Sequence, residues 1–340
     1  MKSIYTKSIL FLLFLTLIIS NDMKSQDIHF SHIHASPTFL NPAYTGVHNG
    51  TIRVIMNYKS QWSNIGKYNT AALSADFKVA SFRNKDFFSM GFGSYFDNAG
   101  DLNYRTCMGT LAMSYTKSLS DRRNNGLTLG LTFAVMNMSY DFSKAVGLDY
   151  EPTAGLYKNS VMNYSVGAGV SWFTQVGRYS SFYAGFAANH LNRPNISTME
   201  ASSKLPMKMT ANLGGIFSGR SRHALLPSAM FINQGKQQEI NTGTFYRFEL
   251  NKGWNQQNNF LYLGAWARWH VIPKSFSGMD AVILSLRYDT KGWNFTFSYD
   301  VNVSQLAKAT LGNGGPELSI IYTRGAKKSK SNKVIYCPKF

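Results

Sequence analysis

Between Leu127 and Val135 every second residue is large and apolar. Leu127, Leu129, Leu131, Phe133 and Val135 alternate with Thr128, Gly130, Thr132 and Ala134. Successive side chains of a strand leave on opposite faces, so a run of this kind lies between two unlike environments. The alternation recurs along the chain. Ile52, Val54, Met56 and Tyr58 oppose Arg53, Asn57 and Lys59; Val282, Leu284, Leu286 and Tyr288 oppose Ser285 and Arg287; Trp293, Phe295, Phe297 and Tyr299 oppose Asn294, Thr296, Ser298 and Asp300. Such runs, bounded by turn signals, predict about fourteen strands near 51–62, 68–80, 87–97, 104–119, 126–140, 161–175, 179–190, 206–218, 223–234, 239–250, 259–271, 279–289, 292–302 and 316–324. Links such as Asp121–Gly126 and Asp289–Gly292 carry the Asp, Asn and Gly of tight turns. Longer loops fall at about 141–160 and 191–205. With no helical pattern between strands, the expected topology is antiparallel and up-and-down.

A soluble sandwich would show the same alternation, so the apolar face must be assigned to lipid or to a protein core. Most of the runs reach the roughly 9–11 residues of a tilted membrane-spanning strand. Aromatic residues gather near their ends (Tyr58, Tyr95, Trp172, Trp269, Trp293 and Tyr322 among them), as in an interfacial girdle, and the strand count is even. High Tyr, Phe and Gly (19, 24 and 28) with a mean hydropathy of −0.19 fit strands with one apolar face. The expectation is an all-β, antiparallel up-and-down transmembrane barrel. After Lys2 and Lys7, the apolar run Ile9–Ile19 followed by polar residues reads as a secretory leader, too short to span a bilayer, with cleavage expected after Ser25. This divides the chain into a leader (1–25), a periplasmic N-terminal arm (26–50), an outer-membrane barrel (51–324) and a basic C-terminal tail (325–340). An even number of strands places both ends on the periplasmic side.

Chemistry-bearing constellations are sparse. Cys107 and Cys337 are the only cysteines, too few for a disulfide framework. His29, His32 and His34 lie close together, yet only Asp27 joins them as a carboxylate, so no metal is expected. A hydrolase needs a serine, a histidine and an orienting group at one surface. His190 and His270 are the strand-borne histidines, and neither sits in a recognisable motif. No phosphate-cradling loop is present. The reading is a non-enzymatic chain without cofactor. Arg53, Lys59, Arg268 and Arg287 occupy the polar faces of their strands and should face the lumen, where they either select small anions, as in a porin, or pair with one another or meet water. Fourteen strands is intermediate between barrels filled by side chains and those leaving an open channel, and the 141–160 loop or the N-terminal arm is the candidate plug. The formal charge of +18 includes a tail bearing Arg324, Lys327, Lys328, Lys330 and Lys333. Export excludes nucleic acid as its partner. The tail is either solvated or docks an acidic periplasmic partner.

Several fragments carry a family resemblance. Gln26-Asp27-Ile28-His29-Phe30-Ser31, Leu40-Asn41-Pro42-Ala43-Tyr44-Thr45-Gly46, Gln61-Trp62, Phe96-Asp97-Asn98-Ala99-Gly100-Asp101, His190-Leu191-Asn192-Arg193-Pro194, Ser298-Tyr299-Asp300-Val301-Asn302 and Cys337-Pro338-Lys339-Phe340 occur in collinear order. Together they resemble the PorP/SprF family of Bacteroidetes. The resemblance implies an integral outer-membrane barrel of the type IX secretion and gliding apparatus. The partners it implies are the periplasmic ring, peptidoglycan-binding components, and secreted or surface adhesins. It supplies no catalytic residue. His29, His32 and His34 depart from it, since relatives tend to carry Gln or other polar residues there. Matching family motifs near the periplasmic rim, Asn41, Pro42, Gln61 and Trp62 are the candidate partner contacts, with Lys327, Lys328 and Lys330 of the tail. Structural roles are equally open: Pro42 as a turn former and Trp62 as a girdle residue.

Overall fold

The computed structural model describes residues 27–325 apart from 29, 33–34, 62–67, 83–84, 101–103, 121–124, 140–159, 177–179, 198–202, 219–222, 251–258, 273–275 and 305–312. Fourteen strands follow one another: β1 (Ile52–Gln61), β2 (Tyr68–Ser81), β3 (Phe87–Ala99), β4 (Tyr104–Ser118), β5 (Asn125–Ser139), β6 (Ser160–Val176), β7 (Ser180–Asn189), β8 (Lys208–Ser218), β9 (His223–Gln234), β10 (Gln237–Leu250), β11 (Asn259–Ile272), β12 (Phe276–Thr290), β13 (Trp293–Asn302) and β14 (Asn313–Arg324). Each pairs antiparallel with its sequence neighbours, and β1 closes on β14, with Ile52 opposite Arg324 and Lys59 opposite Glu317. Closure leaves no sheet edge to aggregate. The strands agree with those read from the alternation, most bounds falling within a residue or two.

The period-two pattern has become an inside-out protein. On β5 the outward Leu129, Leu131 and Phe133 are 60%, 66% and 48% exposed, whereas the inward Thr128 is 0% exposed. The buried set instead contains Arg53, Lys59, Asp76, Asp300 and Glu317. In water each exposed Leu or Phe would forgo roughly 1.5–3 kcal/mol of burial, and dozens of such side chains circle the barrel. Acyl chains resolve that conflict, and a closed barrel satisfies its backbone polar groups within the sheet.

The two ends of the barrel differ. At the end where β1 begins and β14 finishes, the connections are 82–86, 119–124, 177–179, 219–222, 251–258 and 291–292. The last is a two-residue hairpin whose Lys291 and Gly292 have φ of 44° and 88°, the double positive φ that matches strand twist. The opposite end carries the two longest connections, 140–159 and 190–207. The first is the turn end of the barrel and the second its loop end.

The sequence reading made residues 26–50 a periplasmic arm, with that arm or the 141–160 loop as the candidate plug. The described residues of 27–50 lie within the lumen. A short helix α1 (Pro37–Leu40) and a 3-10 turn (Pro42–Tyr44) each begin with proline, whose fixed φ suits a first helical position and whose missing N–H costs nothing there. Leu40 packs on Met230 and Ile232, while Tyr44 and Val47 pack with Phe87, Phe173 and Tyr183. The physical reason is legible in hindsight: this segment's apolar residues cover apolar patches of an otherwise polar inner wall. The leader and the tail lie outside the described residues.

Candidate functional site: the plugged lumen

The N-terminal segment is pinned along its length. At the loop end, the Asp27 N–H donates to Gln234 Oε1 (3.1 Å), and the Asp27 carboxylate meets His190 Nε2 (2.6 Å) and Lys208 Nζ (3.7 Å). Further in, Ser31 donates its N–H to Glu317 Oε2 (2.9 Å) and its hydroxyl to Asp300 Oδ1 (2.9 Å), while its carbonyl accepts from Asn241 (2.8 Å). His32 Nε2 lies 2.6 and 2.9 Å from the hydroxyls of Ser285 and Ser298, and its ring stands edge-on to Trp266. Asn57 Nδ2 donates to the Ala35 carbonyl (2.6 Å). Asn41, wholly buried, donates to the Val170 and Phe186 carbonyls and accepts from the Ala43 N–H, so one side chain caps the 3-10 turn and ties it to the wall. Toward the turn end, Asp76 accepts from the Gly46 N–H (2.6 Å) and Lys78 donates to the His48 carbonyl (2.8 Å). Thr51 then joins Arg324 (2.9 Å) where the barrel begins.

Two wall glycines make this fit possible. A Cβ on Gly130 would collide with the backbone of Pro42 and Ala43, and one on Gly169 with the Asn41 side chain. In the strand pattern they are merely polar-face positions. Their need for a bare backbone arises only from the plug.

The four candidate lumen cations all point inward, and each meets a carboxylate. Arg53 forms a two-toothed pair with Asp76 (2.8 and 2.9 Å) and also donates to the Tyr44 carbonyl. Lys59 lies 3.5 Å from Asp300 and 3.7 Å from Glu317. Arg268 bridges Asp280 (2.9 Å) and Asp300 (2.8 Å). Arg287 grips Asp289 (2.7 and 3.1 Å) and lies over the Tyr262 ring. Buried charges demand such pairing, because an unpaired ion out of water costs several kcal/mol.

The other candidates are dispersed. Asn41 and Pro42 are enclosed in the lumen rather than placed at a rim, because the arm that carries them is folded inside. Gln61 is the last residue of β1 and stands at the loop end, opposite the end where the chain enters the barrel wall. Trp62, Lys327, Lys328 and Lys330 lie outside the described residues, as do His29, His34 and Cys337. Cys107 is free and exposed. Among the described residues no group of three or more His, Cys, Asp or Glu side chains is placed to hold a metal.

One constellation was not visible in the sequence. Ser165 Oγ lies 2.7 Å from His190 Nδ1, whose Nε2 in turn meets Asp27, a serine–histidine–aspartate chain. Three features make it a latch. The serine faces Nδ1 and the carboxylate faces Nε2, the reverse of the hydrolase arrangement. Ser165 and His190 are both buried. Lys208 shares the Asp27 carboxylate and also donates to the Ile28 carbonyl, so the group anchors backbone. Both His190 and Lys208 thus offer positive or hydrogen-bonding atoms to the Asp27 carboxylate. Asp27, Ser31 and His32 sit in an irregular segment without periodicity. Asp76, Asp289, Asp300 and Glu317 were findable by parity, since they share the polar faces of their strands.

Inward polar pairs, an outward apolar band and an internal segment along the axis define a plugged transmembrane β-barrel of the outer-membrane type. Residues 22–322 match the family described as type IX secretion system membrane protein PorP/SprF, and the chain belongs to that family. No curated protein matches the sequence. Among solved structures, the chain is similar to the CymD monoaromatic hydrocarbon channel (12% identity, TM-score 0.46, covering 87% of this chain and 94% of that one). It is also similar to the toluene transporter TbuX of Ralstonia pickettii (10%, 0.44, 90% and 97%). A third is BamA of Haemophilus ducreyi lacking POTRA domains 1–3 (10%, 0.40, 81% and 70%).

Proposed function

We propose that this chain is a non-enzymatic, closed platform in the outer membrane that supports type IX export or surface anchoring of adhesins and other secreted proteins. It is exported through the inner membrane by a leader cleaved after Ser25. The observation that carries this reading is the lumen itself. A segment of the chain's own sequence fills it, and the basic residues that would line an anion path are each engaged by a carboxylate. Family membership supplies the secretion context. In this role the barrel is a rigid anchor. Partners of the periplasmic ring and peptidoglycan layer would meet the short turns and the basic tail bearing Lys327, Lys328 and Lys330. Exported protein would meet the long connections and the Gln61–Trp62 corner. Asn41 and Pro42 serve by fixing the plug.

Planar-bilayer recording tests the closed state. The purified barrel should stay silent, and a variant lacking residues 27–50 should conduct. A stable conductance of nanosiemens order from the intact chain would instead favour a diffusion channel for small anions. Deleting the gene and comparing the secreted and surface proteomes tests the role. Loss of one or more surface proteins is expected, and an unchanged surface proteome would overturn it.

A further inference from the structure

The sequence of contacts along residues 27–50 has a direction. Asp27 is held by Ser165-supported His190, Lys208 and Gln234, at the loop-end tips of β7, β8 and β9. Ser31 and His32 meet Asp300, Glu317, Ser285 and Ser298 deeper in the wall. Asn41 and Tyr44 meet Val170 and Asn212. Gly46 and His48 meet Asp76 and Lys78. Thr51 reaches Arg324 at the turn end. The segment therefore enters at one mouth and leaves by the other.

We infer that residues 27–50 cross the outer membrane inside the barrel they precede, so that Asp27 stands at the cell-surface mouth. The sidedness follows from the connections: outer-membrane barrels keep short turns in the periplasm and long loops outside. The connections 140–159, 190–207 and 303–312 are at Asp27's end, beside one two-residue hairpin (235–236), whereas no connection at the other end is longer than 251–258. This reverses the strand-parity expectation that both ends of the mature chain are periplasmic. Parity governs only β1 and β14, whereas the plug adds one further crossing. Asp27 and Ile28 thus become part of the surface that an exported protein meets. At the turn end the segment reaches the exposed Thr51, where β1 begins.

The inference goes beyond the secretion role and stands or falls separately from it. Its test uses the full-length protein in cells of its own membrane, with Cys107→Ser and Cys337→Ser as background. A single cysteine is introduced as Gln26→Cys, as Ile28→Cys or, for the turn end, as Lys291→Cys, and the mature N-terminus is read by intact mass. The Ile28 variant serves whether cleavage falls before or after residue 26. Folding of each variant is verified by the faster gel migration of unheated barrels. A membrane-impermeant maleimide should label the N-terminal cysteine in intact cells to the same extent as in permeabilised ones, and Lys291→Cys at least tenfold more after permeabilisation. Labelling of the N-terminal cysteine only after permeabilisation, or of Lys291→Cys in intact cells, overturns the inference.

Discussion

Asp300 offers the sharpest test of how the lumen is held. It takes the Arg268 guanidinium at 2.8 Å, the Ser31 hydroxyl at 2.9 Å and the Lys59 ammonium at 3.5 Å, and its side chain is 1% exposed. Asp300→Asn keeps the shape and removes the charge, leaving two buried cations with reduced compensation. Breaking a buried pair on one side typically costs about 3–5 kcal/mol. Arg268 keeps Asp280 and Lys59 keeps Glu317, so the lower part of that range, about 3 kcal/mol, is expected. Asp280 contacts the same arginine but is 22% exposed. Solvent screening brings the expected cost of Asp280→Asn to about 1 kcal/mol or less. Urea unfolding in detergent micelles, followed by tryptophan fluorescence and by heat-dependent gel migration, measures both. Arg268→Met provides the cycle. Combined with Asp300→Asn it should be about 1–3 kcal/mol more stable than the sum of the two single changes, because no orphaned charge remains at that pair. Equal costs for Asp300→Asn and Asp280→Asn, together with additive behaviour in the cycle, would refute the account of a charge-compensated wall.

Other predictions follow from the plug and the lipid face. Gly130→Val should drive Pro42 and Ala43 off the wall and convert a silent barrel into a conducting one in planar bilayers, while Gly109→Val, at an open outward position, should leave it silent. Leu131→Arg, at an outward site of β5 that is 66% exposed, should lower folding stability in lipid by about 2–4 kcal/mol, whereas Leu131→Phe should fold like the parent. The Asp27 latch should hold the plug's outer end. Asp27→Asn removes the charge that meets His190 and Lys208 and should speed protease cleavage near residue 27 at neutral pH, and a rate equal to the parent's would show that the contact does not hold the segment. Finally, a fluorophosphonate probe should leave Ser165 unlabelled in the folded protein, since the serine is buried and faces the wrong imidazole nitrogen for general-base activation.

The strand framework was legible because it depends on one local rule. Side chains alternate across a strand, so a two-sided environment writes period two directly into the sequence, and the bounds of β9 (His223–Gln234) or β4 (Tyr104–Ser118) could be read almost to the residue. The same parity put Arg53, Lys59, Arg268 and Arg287 on the inner face. It did not name their partners, because partner choice depends on sheet register and barrel closure. Asp76 lies opposite Arg53 across the β1–β2 ladder, a pairing fixed by register, and Glu317 reaches Lys59 only because β14 returns to β1.

The sequence by itself therefore determined the number of strands, their faces and the kind of medium outside them. Only the tertiary structure decided what occupies the inside. Residues 27–50 carry no periodicity, since a segment pinned side chain by side chain to a curved wall needs no repeating pattern. Its polar contacts also lie far away in sequence: Ser31 meets Asp300 and Glu317, and Asp27 meets His190 and Gln234. Local rules see the wall of such a protein. The plug is set by contacts that exist only once the barrel has closed.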